Sequence, residues 1–372
     1  MFRRHFLAAA LLAVAPPAFA QAQPVPLGSV EILSGGANSA YGIAIRNGLE
    51  LGLDEVNAKG VLGGRKIALT VEDSAGTKEG AINATRKLIG RDHVAAIIGP
   101  TLSDDMFAAG PVANERRVPI IGTSTTANGI TAIGDYVFRT SLPEADVIPV
   151  TLHKAQARGA KTIALIYVND SAFAKSGFDV MKAAAEKAGL NIVDIESFAG
   201  KDTDVSAQLT KIKSLNPDVV GVSALSEPTA SVLLAAKQLG FPSGTQFVGG
   251  NGANSPKVIE LAGAAAEGML VGSPWFIGKP DADNQKFVDS YRAKYKADPD
   301  QFAAQAYDAI HIVAEAFDRA GGTDSDKLRA ALLQAKYNGV MGPFSFTADR
   351  NPASAEGVVV LTVQGGKFVI AK

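Results

Sequence analysis

Short apolar runs rich in β-branched residues alternate with amphipathic stretches along most of this chain, and few architectures accommodate that rhythm. The runs fall at 30–33, 67–71, 94–98, 119–121, 163–167, 192–195, 219–222 and 247–248. Most are apolar throughout, the pattern of parallel strands buried on both faces. Helical patterns at 41–58, 77–91, 104–116, 171–189, 204–214 and 227–240 lie between them, polar on one side and rich in Ala, Leu, Ile or Val on the other. Strand and helix in alternation predict an α/β protein built of doubly wound sheets.

The rhythm halts twice, at Arg139-Thr140-Ser141-Leu142-Pro143 and at Gly272-Ser273-Pro274-Trp275-Phe276, where proline and small residues follow a strand. These are the expected crossings between two lobes. Helical patterns at 283–297 and 301–320 follow the second halt, and Met341-Gly342-Pro343-Phe344 then leads into a last strand pair at 358–363 and 368–370, joined at Gly365-Gly366. A chain that leaves a lobe and returns makes the hinge multi-stranded. The expected partition is a leader at 1–20, an N-terminal lobe of 24–142 plus 274–346, and a C-terminal lobe of 143–273 plus 347–372. The 372 residues exceed what one core usually serves, in keeping with two lobes.

The leader expectation rests on Met1-Phe2-Arg3-Arg4, an apolar run over 6–15, a Pro16-Pro17 break and the small-residue site Ala18-Phe19-Ala20. Arg3-Arg4 fits a twin-arginine export signal as well as the general secretory one. The run is shorter than the roughly 20 residues of a spanning helix, and no later run reaches that length, so a soluble exported protein without direct membrane insertion is expected. The chain has no cysteine, which rules out disulfides, thiolate metal sites and a lipidated cysteine after the leader. A freely diffusing exported protein is retained by an outer membrane, which points to the periplasm. The net charge of −1 gives no reason to expect nucleic acid or anionic lipid as a partner.

Motifs for catalysis are sparse. Beyond the leader, His93 opens a strand and His153 lies in a polar helix. His311 has Asp308 and Glu315 at helical spacing but no second histidine, so a metal site is not expected. No P-loop, no nucleophile elbow and no dinucleotide-type glycine spacing occurs, and no cofactor is expected. Glu72-Asp73 resembles an acid/base pair, but adjacent strand residues point to opposite faces, which favours solvated or capping roles.

In open α/β sheets ligands sit beyond the carboxyl ends of strands. Hydroxyl groups crowd two consecutive strand ends here: Ser103 in Gly99-Pro100-Thr101-Leu102-Ser103, and Ser124 and Thr126 in Gly122-Thr123-Ser124-Thr125-Thr126. Hydroxyls, free backbone N–H groups and a helix dipole together make a carboxylate receptor without fixed positive charge. The plainer alternative makes Ser103 a helix N-cap and the second stretch an ordinary loop.

Ser34-Gly35, Tyr41-Gly42, Asn57-Ala58-Lys59-Gly60, Glu72-Asp73-Ser74, Ile98-Gly99-Pro100 and Met341-Gly342-Pro343-Phe344 occur in an order that resembles the branched-chain amino-acid-binding family of periplasmic proteins. The resemblance covers nearly the whole chain beyond the leader. It implies a type I periplasmic-binding fold, a role as solute-binding subunit of an ABC importer, a membrane permease as partner, and a monomer. It also implies that Ser103, Ser124 and Thr126 hold the ligand carboxylate and that Tyr41 closes over the ligand. Phe173 and an aromatic of the second crossing, Trp275 or Phe276, are then expected to cover its apolar side.

One position departs from the family pattern. The acidic residue that pairs with a ligand ammonium is replaced by Asn251 in Gly249-Gly250-Asn251-Gly252. Glu227 is the candidate substitute, with a helix cap or first helical turn as its alternative role. The ligand is thus either a branched-chain amino acid or an aromatic or aliphatic carboxylate without an amine. A sensory subunit of a membrane receptor is the second class of function, and an oxidoreductase or lyase, disfavoured by the missing cofactor loop, is the third.

Overall fold

The computed structural model describes residues 23–353 and 356–372, so the leader expected at 1–20 lies outside the described residues. Strand β1 (Val25–Glu31) is followed by α1 (Ser39–Lys59), β2 (Ile67–Asp73), α2 (Lys78–Gly90), β3 (Ile97–Ile98), α3 (Ser103–Glu115), β4 (Ile120–Gly122) and β5 (Val137–Arg139). These strands form a parallel sheet in the order β2-β1-β3-β4-β5. The direction of winding reverses between β1 and β3, which opens a crevice at their carboxyl ends.

The chain crosses after β5 and builds a second unit from α4 (Glu144–Ala157), β6 (Thr162–Val168), α5 (Ala172–Ala188), β7 (Asn191–Phe198), α6 (Ser206–Ser214), β8 (Val219–Ser223), α7 (Ser226–Gln238), β9 (Gln246–Gly249), α8 (Pro256–Ala262) and β10 (Leu270–Ser273). It crosses back into α9 (Ala282–Tyr295), α10 (Gln301–Ala320), α11 (Ser325–Leu333) and the hairpin β11 (Lys336–Gly339) and β12 (Gly342–Ser345). Strands β13 (Val359–Gln364) and β14 (Lys367–Ile370) then join the second sheet, ordered β14-β13-β10-β9-β8-β6-β7. Here β7, β6, β8, β9 and β10 run parallel, and the last two strands are antiparallel additions. The molecule is thus an α/β protein of two doubly wound lobes, and the chain passes between the sheets after β5, after β10 and after β12.

Packing is closest between α1 and α10. A Cβ on Gly48 would sit 2.1 Å from the Ala303 carbonyl oxygen, and one on Gly52 2.4 Å from Ile310 Cγ2. Small residues on α1 therefore let the two helices touch backbone to backbone. This contact ties the segment beyond the second crossing to the first sheet, alongside buried Leu49, Phe302 and Phe317.

The alternation did not announce α8, α11 or the β11–β12 hairpin, and it gave α4 only as the helix around His153 and β5 and β10 only as the strands before the two crossings. The strand expected at 94–98 is regular only at Ile97–Ile98, and the flanking Val94 N–H turns to the carbonyl of Leu88. Glu72 pairs with Lys87, and Asp73 accepts from the Leu33, Ser34 and Ala75 N–H or O–H groups, as solvated and capping roles require. His311 packs against Tyr307 and Tyr337, while Asp308 turns away to accept the Val340 and Met341 amides.

Candidate functional site

The first lobe supplies one wall of an interlobe cavity through the loop after β3. Gly99 has φ +110°, and a Cβ there would lie 2.4 Å from the Val30 carbonyl oxygen, so glycine lets this loop double back over β1. Thr101 follows; its hydroxyl donates to the buried Glu31 carboxylate and accepts the Ile32 N–H at 3.1 Å. Burial pushes the Glu31 carboxyl up to about 8. Ser124, from the loop after β4, donates to the Thr101 carbonyl. Thr126 donates weakly to Glu144 at 3.4 Å.

Ser103 opens α3 as its first helical residue, and Leu102 holds the N-cap position without any side-chain cap. The capping alternative for Ser103 is thereby set aside. Its Oγ instead accepts the Ala127 N–H at 3.3 Å, which leaves its proton available to a ligand. A helix whose cap position carries leucine keeps its first N–H groups uncapped by any side chain, and with the macrodipole these favour an anion.

In the second lobe Leu225 is likewise an N-cap residue without a side-chain cap of its own, and there the Ser226 N–H goes to the Tyr41 hydroxyl. Phe173, in the first turn of α5, and the short turn Asn251–Ala253 complete that wall. A Cβ on Gly252 would lie 3.0 Å from the Phe173 ring, so this glycine lets the aromatic seat. Tyr41 and Phe302 close the remaining side with edge-to-face rings 4.8 Å apart. The Tyr41 hydroxyl donates to the Gly252 carbonyl at 2.6 Å and accepts the Ser226 N–H at 2.8 Å, so it bridges the lobes.

The cavity is lined by Tyr41, Thr101, Leu102, Ser103, Asp104 and Ser124. Thr126, Phe173, Leu225, Asn251, Gly252 and Phe302 line the rest. No lysine or arginine is among them. The single lining carboxylate, Asp104, accepts from Ser171 Oγ at 2.8 Å, the Ala172 N–H at 2.8 Å and the Phe173 N–H at 3.2 Å. Asn251 is buried, and its Nδ2 has no hydrogen-bond partner. Its backbone N–H donates to Glu144 at 3.1 Å, a fully buried carboxyl that burial pushes up to about 7.

Six residues singled out from the sequence meet in this cavity: Tyr41, Ser103, Ser124, Thr126, Phe173 and Asn251. Two do not. Glu227 lies exposed in the first turn of α7, one residue past Ser226, where a carboxylate favours the helix dipole and faces away from the cavity. Trp275 is buried beside the second crossing, where its Nε1 donates to Asn284 Oδ1 at 2.7 Å and its ring meets Phe287 edge-on. With Phe276 it lines a separate recess next to α8 and β14. The sequence reading passed over Thr101, Leu102, Leu225 and Phe302. Leucine at two helix starts, where Ser, Thr, Asp or Asn is preferred, was a legible sign that those starts face something other than water. Phe302 opens the very helix expected at 301–320, next to its capping Asp300.

A family model described as periplasmic binding protein matches residues 24–367. A leucine-, isoleucine-, valine-, threonine- and alanine-binding protein of Pseudomonas aeruginosa is 26% identical over 313 residues, covering 84% of this chain and 83% of that one. A branched-chain amino-acid transporter substrate-binding protein of Streptococcus pneumoniae, solved with isoleucine, is 29% identical with TM-score 0.85, covering 93% of this chain and 97% of that one. An ABC-transporter solute-binding protein of Rhodopseudomonas palustris, solved with benzoate, is 26% identical with TM-score 0.84 and covers 93% and 95%. The chain belongs to the periplasmic binding protein family, as an ABC-transporter solute-binding protein with the two-lobed type I fold of the leucine/isoleucine/valine-binding proteins.

Proposed function

We propose that this protein is the extracytoplasmic solute-binding subunit of an ABC importer and that its cargo is a small carboxylate without a free ammonium, aromatic or branched aliphatic. The ligand carboxylate takes the uncapped start of α3 with Ser103 and Thr126, and the apolar part lies among Phe173, Phe302, Leu102 and Leu225. The second lobe closes over it, and the closed form delivers it to a membrane permease. No chemical step is involved.

The observation that carries this reading is Asn251, whose Nδ2 donors are buried and unpartnered. A donor at that place suits an acceptor on the ligand, and a neutral amide cannot offset the charge of a buried ammonium. The lining carboxylate of Asp104 is already taken by three donors of α5, and Glu227 is outside the cavity. An amino acid would bury its ammonium unpaired, at a cost of several kcal/mol. The benzoate-bound neighbour is compatible with this reading, whereas the isoleucine-bound neighbour and the Pseudomonas relative favour a branched-chain amino acid as the second one.

The test is a matched pair. Leucine and 4-methylpentanoate share one carbon skeleton and differ only in the amine, and each is titrated calorimetrically into refolded, ligand-stripped protein, with benzoate alongside. Binding of 4-methylpentanoate or benzoate with at least tenfold preference over leucine is the expected result. Preference for leucine overturns it in favour of the second reading.

A further inference from the structure

Two helix N-termini of the second lobe are completed by side chains of the first. At α5, Asp104 of α3 reaches across the cavity and its carboxylate accepts the Ala172 and Phe173 N–H groups and the Ser171 hydroxyl, while Ser171 itself serves only the Ala174 N–H. At α7, whose N-cap Leu225 offers no acceptor, the Ser226 N–H goes to the Tyr41 hydroxyl of α1. A helix start leaves several N–H groups without intrahelical partners, and an acceptor there, a carboxylate above all, gains from the dipole as well as from the hydrogen bonds.

We infer that Asp104 and Tyr41 are trans-acting helix caps that set the closing equilibrium of the two lobes. When the lobes part, the Ala172, Phe173 and Ser226 amides return to water and both acceptors are lost to them together. Closure therefore exchanges solvation of two helix starts for two interlobe caps, and it does so before any solute contact is counted. The Asp104 cap also fixes Phe173 through its own backbone amide, so the aromatic wall is set by the same group that holds the lobes shut. Asp104 is thus a positioning residue, and its carboxylate is unavailable for ligand charge. The inference rests on the solute-capturing clamp read above, but it does not depend on which solute is captured.

The absence of native cysteine permits a direct test without ligand. The Asn128 N–H of the first lobe donates to Ser176 Oγ of the second at 2.8 Å, which brings the two Cα atoms within reach of a disulfide. In an Asn128→Cys/Ser176→Cys protein, the rate of disulfide trapping under mild oxidant reports the closed population, however small it is. Asp104→Asn and Tyr41→Phe, each introduced into that background, are expected to slow trapping roughly 5- to 30-fold, the range of a lost cap. The melting temperature of the reduced protein should stay unchanged, as should trapping in the control Glu79→Gln, an exposed carboxylate on α2. Unchanged trapping in both cap variants overturns the inference, and so does slowing matched by a fall in melting temperature, which would make these residues supports of the fold. A failure of the matched-ligand titration leaves the trapping result standing, so the two readings fail separately.

Discussion

At Asn251 one atom separates two ligand classes. Replacing the amide by a carboxylate in Asn251→Asp places negative charge where the cavity now offers a donor, beside the buried Glu144 that accepts the backbone N–H of the same residue. Two carboxyls so close raise each other's pKa unless a cation lies between them. The variant is expected to bind leucine measurably and to lose at least tenfold in affinity for 4-methylpentanoate, read by calorimetry. If leucine binding does not appear, Asn251 is not the residue that excludes the amine. The residues around it also show what a sequence can and cannot disclose. Ser103, Ser124 and Thr126 were found because strand ends are where ligands sit, and Asn251 because it stood where an acid was expected. Glu144 was missed because the helix expected around His153 was given no start, and it reaches the site through the Thr126 and Asn251 contacts made across the fold. Trp275 was placed at the ligand on its crossing position and on the aromatic that the family resemblance implied there. Its indole N–H and ring are taken instead by Asn284 and Phe287 of α9, partners that sequence spacing could not reveal.

Among the elements, α1 and α10 touch backbone to backbone, and α10 presents Phe302 to the cavity from its first turn. The Gly48→Ala exchange sets two effects against each other. Alanine gains about 1 kcal/mol of helix propensity over glycine. Its methyl would lie 2.1 Å from the Ala303 carbonyl, a backbone atom that moves only if the helices separate. Overpacking of this kind usually costs about 1–3 kcal/mol and should prevail. The variant should melt a few degrees lower and bind its solute more weakly, because Phe302 shifts with α10. A melting temperature equal to or above wild type would show that the seam has slack. The α/β alternation made this architecture legible in advance for most strands and helices, since buried parallel strands are apolar throughout. It failed at the separate β11–β12 hairpin, whose strands are short and half-exposed, and it overran at β3, a central strand that keeps only a two-residue register. At such short strands local composition says little.

For the molecule as a whole, buried acids decide how stability follows pH. Glu31 is pushed up to about 8, and Asp105, Glu144 and Asp308 to about 7, with burial the first cause at each. All four are nearly inaccessible to solvent. In the unfolded chain such groups ionise near pH 4. Between there and their folded values the folded state binds more protons than the unfolded one, so stability is greatest on the acid side and is lost as pH rises through 7 and 8. His311 acts in the opposite sense. Burial lowers it to about 4, so the unfolded chain takes up a proton below about 6.5 that the folded chain refuses, and stability is lost as pH falls through that window. Four carboxyls outweigh one imidazole. Calorimetric melting at constant ionic strength is therefore expected to give a higher midpoint at pH 5.5 than at pH 8.5, by at least a few degrees. Glu31→Gln removes the ionisable proton and keeps one of the two acceptor oxygens that Thr101 and Ser29 use, and it should remove part of that difference. A midpoint that rises from pH 5.5 to 8.5 would mean these carboxyls are held as anions, with the loop over β1 and the start of α3 built around buried negative charge rather than around shared protons.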